Sequence, residues 1–370
     1  MSTPVAETEA ELVPVFLRAA AGWAWRIIVV GAAIYFLGKL ARKLELAVVP
    51  LLTAVLLTGL LQPVNARLRS WKVGRGLSAV ITMLLAIAVL GGVGAFVANR
   101  AAAGYPDLVN EVQNLVTRTQ NWLVNGPLKL PRSSVVNVGD QLVAYLRDRQ
   151  GQVVSRAVGV GKTALEVVTA LVLTFFLTIF LLYDGRNIFN WLTGAFPRRV
   201  RSKVDEVGER MWETVSGYVS GTFLVAVFHG VVMGVTLTLV GVPLVAPLAV
   251  LIFIGGFIPL IGVVVFGGLA VLVTLVAKGG AAALVVLIVL LIENQIEGHV
   301  LQPFVVGRHV SLHPMAIALT LAAGAVLAGL PGAIFGVPLV AALNAAFKAV
   351  RGEPEQHGGV HLDAEAPAPA

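Results

Sequence analysis

Residues 293–350 read ENQIEGHVLQPFVVGRHVSLHPMAIALTLAAGAVLAGLPGAIFGVPLVAALNAAFKAV. They follow residues 279–292, an apolar run without a single charge. Glu293, Asn294, Gln295, Glu297, His299, Gln302, Arg308, His309 and His313 then arrive within one short span, before apolar sequence resumes at Met315. A polar cluster between two membrane-length segments, broken by Pro303, Gly307 and Pro314, is the pattern of a path through a helical membrane bundle. The same spacing fits a loop whose polar groups simply stand in water, and spacing alone leaves both readings open.

The rest of the chain supports a membrane setting. It has 370 residues, 57% hydrophobic and 13% charged, whereas soluble domains carry about 25% charged residues. Several runs exceed the roughly 18–20 apolar residues needed to cross a bilayer. The expected fold class is therefore all-α: a polytopic helical membrane protein with broken or re-entrant helices and a small extracytoplasmic helical domain. There is no cysteine, which excludes disulfides, thiolate metal sites and a cysteine nucleophile. The net charge of +7 sits largely in short loops beside the spans. That matches the positive-inside rule and speaks for a lipid bilayer, not a nucleic acid, as partner.

Taken in order, residues 1–21 read as a cytoplasmic tail without the basic n-region of a signal peptide. Residues 22–98 hold three spans, the second expected to stop at Gln62-Pro63. Residues 99–160 are polar and mixed in charge, with helical spacing of Leu108, Val112, Leu115, Val116 and Leu123 after a helix start at Pro106-Asp107. Residues 161–350 form a second set of spans with a basic cytoplasmic helix at 184–216. Gly241-Val242-Pro243 breaks one span, and residues 244–278 are interrupted at Gly255, Gly256 and Pro259, which predicts two short spans or a re-entrant hairpin. Pro331 and Gly332 predict a further break. Residues 351–370 read as a disordered cytoplasmic tail. Both termini then lie in the cytoplasm, with Arg42 and Lys43 as the exception to the charge rule.

Other patterns carry less. Gly241–Ala246 (GVPLVA) recurs at 336–341 and Leu61-Gln62-Pro63 at 301–303, a faint internal repeat or chance. Gly159-Val160-Gly161-Lys162-Thr163 imitates a phosphate loop but has Arg156 where the leading glycine belongs. His309 and His313 are four apart, but Gly307 and Pro314 argue against the continuous helix a metal pair would need. Gly230 with Gly234, and Gly332 with Gly336, have the small-xxx-small spacing of close helix packing. His229, inside a span, is a functional candidate by position. No nucleophile, base and orienting group stand together, so no enzyme and no cofactor are expected.

Glu293, Gln302-Pro303, Gly307, Leu312-His313-Pro314, Gly324, Gly329, Gly332 and Val337-Pro338-Leu339 follow one another in a recognisable order. So do Tyr183-Asp184-Gly185, Tyr218 with Gly221, Gly241-Val242-Pro243 and Ile258-Pro259-Leu260-Ile261-Gly262. The ordered set resembles the autoinducer-2 exporter family of permease-like bacterial membrane proteins. The resemblance implies a secondary-type transporter of a small polar solute, autoinducer-2-like, and a homo-oligomer, a pentamer being one form. It also implies the alternative of a sodium (cation)/proton antiporter. Ser220 and Thr222 stand where the family usually shows Arg and Gln, so the solute can differ. A membrane scaffold binding partners through residues 99–160 is the reading from another class.

The expected solute or ion path comprises Glu293, Asn294, Glu297, Gln302, Pro303, Arg308, His313, Gly255, Gly256, Pro259, Pro331, Gly332 and Tyr218. Asn294 and Gln302 suit a polar solute; Glu293 and Glu297, four residues apart and on one helix face, suit protons or cations. Arg308 is the nearest cation in sequence beyond Pro303. The charge distribution predicts that residues 198–210 face the cytoplasm and residues 99–160 the outside. A Gln120→Cys variant should react with an impermeant thiol reagent in intact cells. Labelling only after the membrane is opened would refute the arrangement.

Overall fold

The structure is a computed structural model and describes residues 15–125, 161–259, 262–306 and 312–353. Residues 1–49 and 50–370 are separate compact units. The helices are α1 (Val15–Lys43), α2 (Glu45–Ser70), α3 (Arg75–Asn125), α4 (Gly161–Gly194), α5 (Arg198–Val240), α6 (Val245–Gly255), α7 (Gly268–Lys278), α8 (Gly280–Ile296) and α9 (Pro314–Arg351). A π-helical stretch, Val263–Gly267, leads into α7, and another, Glu297–Val306, continues α8. Among the described residues there is no strand, and six helices are long and apolar enough to cross a membrane. The chain is a polytopic all-α membrane protein.

Several helices run further than expected. Pro63 lies inside α2, which continues to Ser70. There the Asn65 side chain donates to the Leu182 carbonyl at 3.3 Å, tying α2 to α4. The span expected to end at residue 98 is the first part of α3, a continuous helix of 51 residues. Pro106 is therefore not a helix start; the helix passes through it. A proline removes one backbone donor, but good helix formers at residues 101–103 precede it and an amphipathic repeat follows. Likewise α4 passes Asp184-Gly185 and ends at Gly194. The amphipathic piece expected at 138–149, the two terminal tails beyond 15 and 353, and Arg308 and His309 lie outside the described residues.

The breaks are real and decide the architecture. Helix α5 ends at Gly241, whose φ of 71° is left-handed, and Leu244 repeats this with φ 63°. At 1.5 Å per residue, α6 is about 16 Å long and residues 263–278 about 24 Å, each short of the ~30 Å hydrocarbon core. Gly255 and Gly262 meet backbone to backbone, where a Cβ on either would collide with the other. Of the two expectations for this stretch, the arm lengths and the closed neck favour a hairpin.

Helix α9 is likewise two arms. The break is at Ala328 (φ −140°, ψ 20°) and Gly329 (φ 62°, ψ −143°), three residues before the expected Pro331-Gly332. The latter Gly329 conformation is open essentially to glycine alone. The arms fold back on each other: Gly332 lies against the Gly324 carbonyl, and a Cβ on Gly336 would sit 3.2 Å from Thr320 Cγ2. Pro331 instead opens the second arm, where a missing N–H costs least. The GVPLVA repeat does not persist in the backbone. Its first copy carries the Gly241 and Leu244 break, and its second lies within the helical second arm.

Two apolar cores result. One joins Met233 and Leu237 of α5 to Leu248 and Ile252 of α6, to Val263 and Ala270 of the second arm, and to Val286 and Leu290 of α8. The other joins Tyr218 and Val219 to Leu321, Ala333 and Val337 of α9. Gly332→Ala should therefore lower stability by about 1–3 kcal/mol through overpacking against Gly324. Gly268→Ala, with nothing within 4 Å of its new Cβ, should be neutral or slightly stabilising. Melting temperatures in one detergent compare the two, and equal values would remove the hairpin packing argument.

Candidate functional site: a histidine between two carboxylates

Helix α5 delivers His229 to the interior because its buried positions, Tyr218, Thr222, Val225, Ala226, His229, Met233 and Leu237, recur at helical spacing. The apolar run of α8 carries Glu293 in its last turns, and Glu297 opens the π-helical stretch that follows. The four-residue spacing keeps both carboxylates on the face turned to α5. His229 Nε2 lies 2.9 Å from Glu297 Oε2, and Nδ1 lies 3.3 Å from Glu293 Oε1. The imidazole is thus held between two carboxylates, one at each ring nitrogen.

Burial differs sharply across the three groups. His229 and Glu293 are 0% and 1% exposed, whereas the Glu297 side chain is 21% exposed and reaches the bundle surface. The Glu297 contact is a full hydrogen bond. The Glu293 contact has ion-pair distance but not hydrogen-bond geometry, and both Glu293 oxygens lack a hydrogen-bond partner. An uncompensated carboxylate in a lipid-embedded interior is expensive. A neutral imidazole offers one N–H and one lone pair, and a lone pair facing a carboxylate oxygen repels it. The arrangement is favourable when an extra proton sits on the ring or on the facing carboxyl. The geometry therefore describes a centre able to hold a shared proton. Among the described residues no cluster of His, Cys, Asp and Glu has the geometry of a metal site.

The expected path residues divide accordingly. Glu293 and Glu297 come together, and they do so around His229, which sequence position flagged without joining it to them. Asn294 is exposed, one position and about 100° around the helix from Glu293. Gln302 and Pro303 lie on the π-helical stretch, with side chains outside the described residues, and Arg308 is outside them altogether. His313 is exposed and caps α9, its Nδ1 accepting from the Met315 N–H at 3.2 Å. Gly255, Gly256 and Pro259 form the neck of the α6–α7 hairpin. Pro331 and Gly332 belong to the α9 hairpin. Tyr218 is buried against α9, and its hydroxyl has no partner of hydrogen-bond geometry. A signal for the missed pairing was present: one ionisable residue in each of two otherwise apolar segments.

The profile of the family described as AI-2E family transporter matches residues 26–352. The chain belongs to the AI-2E transporter family. A Mycobacterium tuberculosis protein named as a transport protein is 42% identical over 336 residues, covering 91% of this chain and 92% of its own. The Escherichia coli K12 protein named as permease PerM is 26% identical over 324 residues, covering 86% and 89%. A Halobacillus andaensis protein named sodium-lithium/proton antiporter is 26% identical over 340 residues, covering 88% and 95%. Together with its six membrane-length helices, this makes the AI-2E chain a multi-pass membrane transporter of bacterial type.

Removing the imidazole should expose the cost of the buried acid. His229→Ala leaves Glu293 facing a cavity and should destabilise the protein by about 3–5 kcal/mol. Glu293→Gln in the same background should recover part of that loss. Unfolding in detergent measures both, and a His229→Ala variant as stable as wild type would mean the three groups are not coupled.

Proposed function

We propose that this AI-2E family member is a proton-coupled secondary transporter that exchanges protons for a monovalent cation at the His229 centre. The observation that carries the reading is His229 wedged between Glu293 and Glu297, in an otherwise apolar membrane bundle. Such groups are costly to bury and are characteristic of ion pathways. With the shared proton in place, the centre carries one net negative charge instead of two. When the proton leaves, two carboxylates remain, and a small monovalent cation compensates one of the two charges in its place. Proton and cation then compete for one location, which is the requirement for exchange. The name of the Halobacillus relative supports this choice of co-substrate.

The second reading is export of a small polar furanone such as autoinducer-2, suggested by the family's name. Asn294 and Gln295, both exposed beside the centre, supply amide groups for such a solute. Homo-oligomer formation is proposed from the resemblance alone, and cytoplasmic termini from the charge distribution.

The test is reconstitution in liposomes that trap a pH indicator. Wild type should move protons when sodium or lithium is added outside, and Glu293→Gln should abolish the response and its pH dependence. Glu297→Gln should lower the rate at least tenfold. Full activity in both variants would remove the centre from the mechanism. Furanone uptake without any cation response would favour the second reading.

A further inference from the structure

The cations around the start of α5 are neutralised within the chain. Arg186 pairs with Glu209 at 2.8 Å, Lys203 with Glu206 at 2.9 Å, Arg210 with Glu206 at 3.0 Å and Arg351 with Glu353 at 3.8 Å. The corner between α2 and α3 is different. Arg67, Arg69, Lys72 and Arg75 fall there close together, and residues 46–106 contain no Asp or Glu. All four are exposed. Among the described residues, none of their side chains has an ion-pair or hydrogen-bond partner.

The corner lies at a membrane surface. Residues 45–70 and 75–103 are both long and apolar enough to cross a bilayer, and only residues 71–74 join them. So short a link has to turn at the edge of the hydrocarbon. Trp71, 69% exposed, stands among the cations, and indole rings favour that depth.

The corner is also held in place. Asn65 ties α2 to α4 just before the cations. A Cβ on Gly76, just after them, would lie 3.7 Å from the Tyr183 ring of α4. Between these points the Lys72 N–H donates to the Arg69 carbonyl at 3.0 Å. Lys72 itself has a left-handed φ of 63°, a conformation for which glycine is the default. A lysine there keeps a cation at the apex of the turn.

We propose that the α2–α3 corner binds the headgroup of an anionic phospholipid, with Arg69 and Lys72 on the phosphate and Trp71 against the upper part of the lipid. A charge bias in loops orients helices and needs no bound lipid. Four cations on a fixed turn without a carboxylate to neutralise them are a further feature, and lipid phosphates are the anions present at that depth. A zwitterionic lipid brings its own ammonium group, so a lipid with net negative charge is preferred. Each basic side chain near an anionic surface adds about fivefold to binding. The site does not depend on the exchange reading.

The chain has no cysteine, so Leu77→Cys can carry a single fluorophore beside the corner. The labelled full-length protein is placed in phosphatidylcholine vesicles doped with a quenching lipid. The quencher is phosphatidylglycerol or phosphatidylcholine, each with a nitroxide high on one acyl chain. The ratio of quenching strengths gives the corner's preference, which should be about tenfold or more for phosphatidylglycerol. Arg69→Gln with Lys72→Gln should reduce it to about twofold or less. Arg67→Gln with Arg75→Gln is the second pair, for the case in which the first does not insert. Arg198→Gln with Arg199→Gln removes the same charge elsewhere and should leave the preference in place.

Equal quenching by the two lipids in the otherwise wild-type protein overturns the proposal. An equal loss in the corner pair and the Arg198 and Arg199 pair also overturns it, because general surface charge would then account for the preference. Exchanging chloride for inorganic phosphate at constant ionic strength should change nothing. A preference lost in that exchange would make free phosphate the occupant and overturn the lipid.

Discussion

A carboxylate in a lipid-embedded helical bundle has to find its counter-charge within the protein, because the surrounding hydrocarbon supplies none. The group that faces Glu293 is His229, a counter-charge when protonated, and His229 in turn is shared with Glu297. Much of the bundle's interior can be described by its position relative to this contact. α5 and α8 must run side by side to make it, the two carboxylates must share a face, and the apolar core beyond it must exclude water. Continuing α8 into a π-helical stretch rather than ending it at Ile296 keeps Glu297 in register with the second ring nitrogen. π-helical insertions of this kind recur at functional positions.

The second constraint is length. Segments of about 16 Å and 24 Å fall short of the ~30 Å hydrocarbon core, yet every backbone group inside it has to be paired. Folding the two segments into a hairpin lets each arm keep its own helical hydrogen bonds, while glycines at the neck and along the contact with α5 bring backbones close. The α9 hairpin repeats the solution with different residues. There, Gly324 and Gly332 allow the arms to touch, and Gly329 supplies the backbone angles of the turn. The first hairpin builds the core around Met233 and Leu237, and the α9 hairpin builds the core around Tyr218, where Ile258 of the first also packs.

The ion pairs outside these cores play a smaller part. Arg186–Glu209, Lys203–Glu206 and Arg210–Glu206 lie near the basic start of α5 and are partly or largely exposed. Pairs in such settings contribute about 0–1 kcal/mol each. Arg210 also donates to the Glu353 carbonyl at 2.9 Å, so the end of α9 is held against the start of α5. These contacts fasten the periphery, whereas the centre depends on His229 and Glu293, which have no solvent to fall back on.

What the sequence by itself determined is the class of molecule and the places where it breaks. Apolar runs longer than a bilayer needs leave few alternatives to transmembrane helices, and Gly241, Gly255-Gly256 and the 328–332 region carry the residues that helices cannot absorb cheaply. The carboxylate pair was legible too, because a four-residue spacing places two side chains on one helix face wherever that helix goes. The sequence could not show where helices merely tolerate a proline, as α2 does at Pro63 and α3 at Pro106, since neighbouring turns decide whether a lost hydrogen bond ends the helix. Nor could it show that His229, 64 positions before Glu293 in the numbering, is that acid's partner. Helical spacing reaches only about one turn along the chain, and contacts between α5 and α8 depend on how the hairpin between them packs. Only the tertiary structure decided that pairing, and with it the difference between two acids at the mouth of a loop and a histidine–carboxylate cluster inside a bundle.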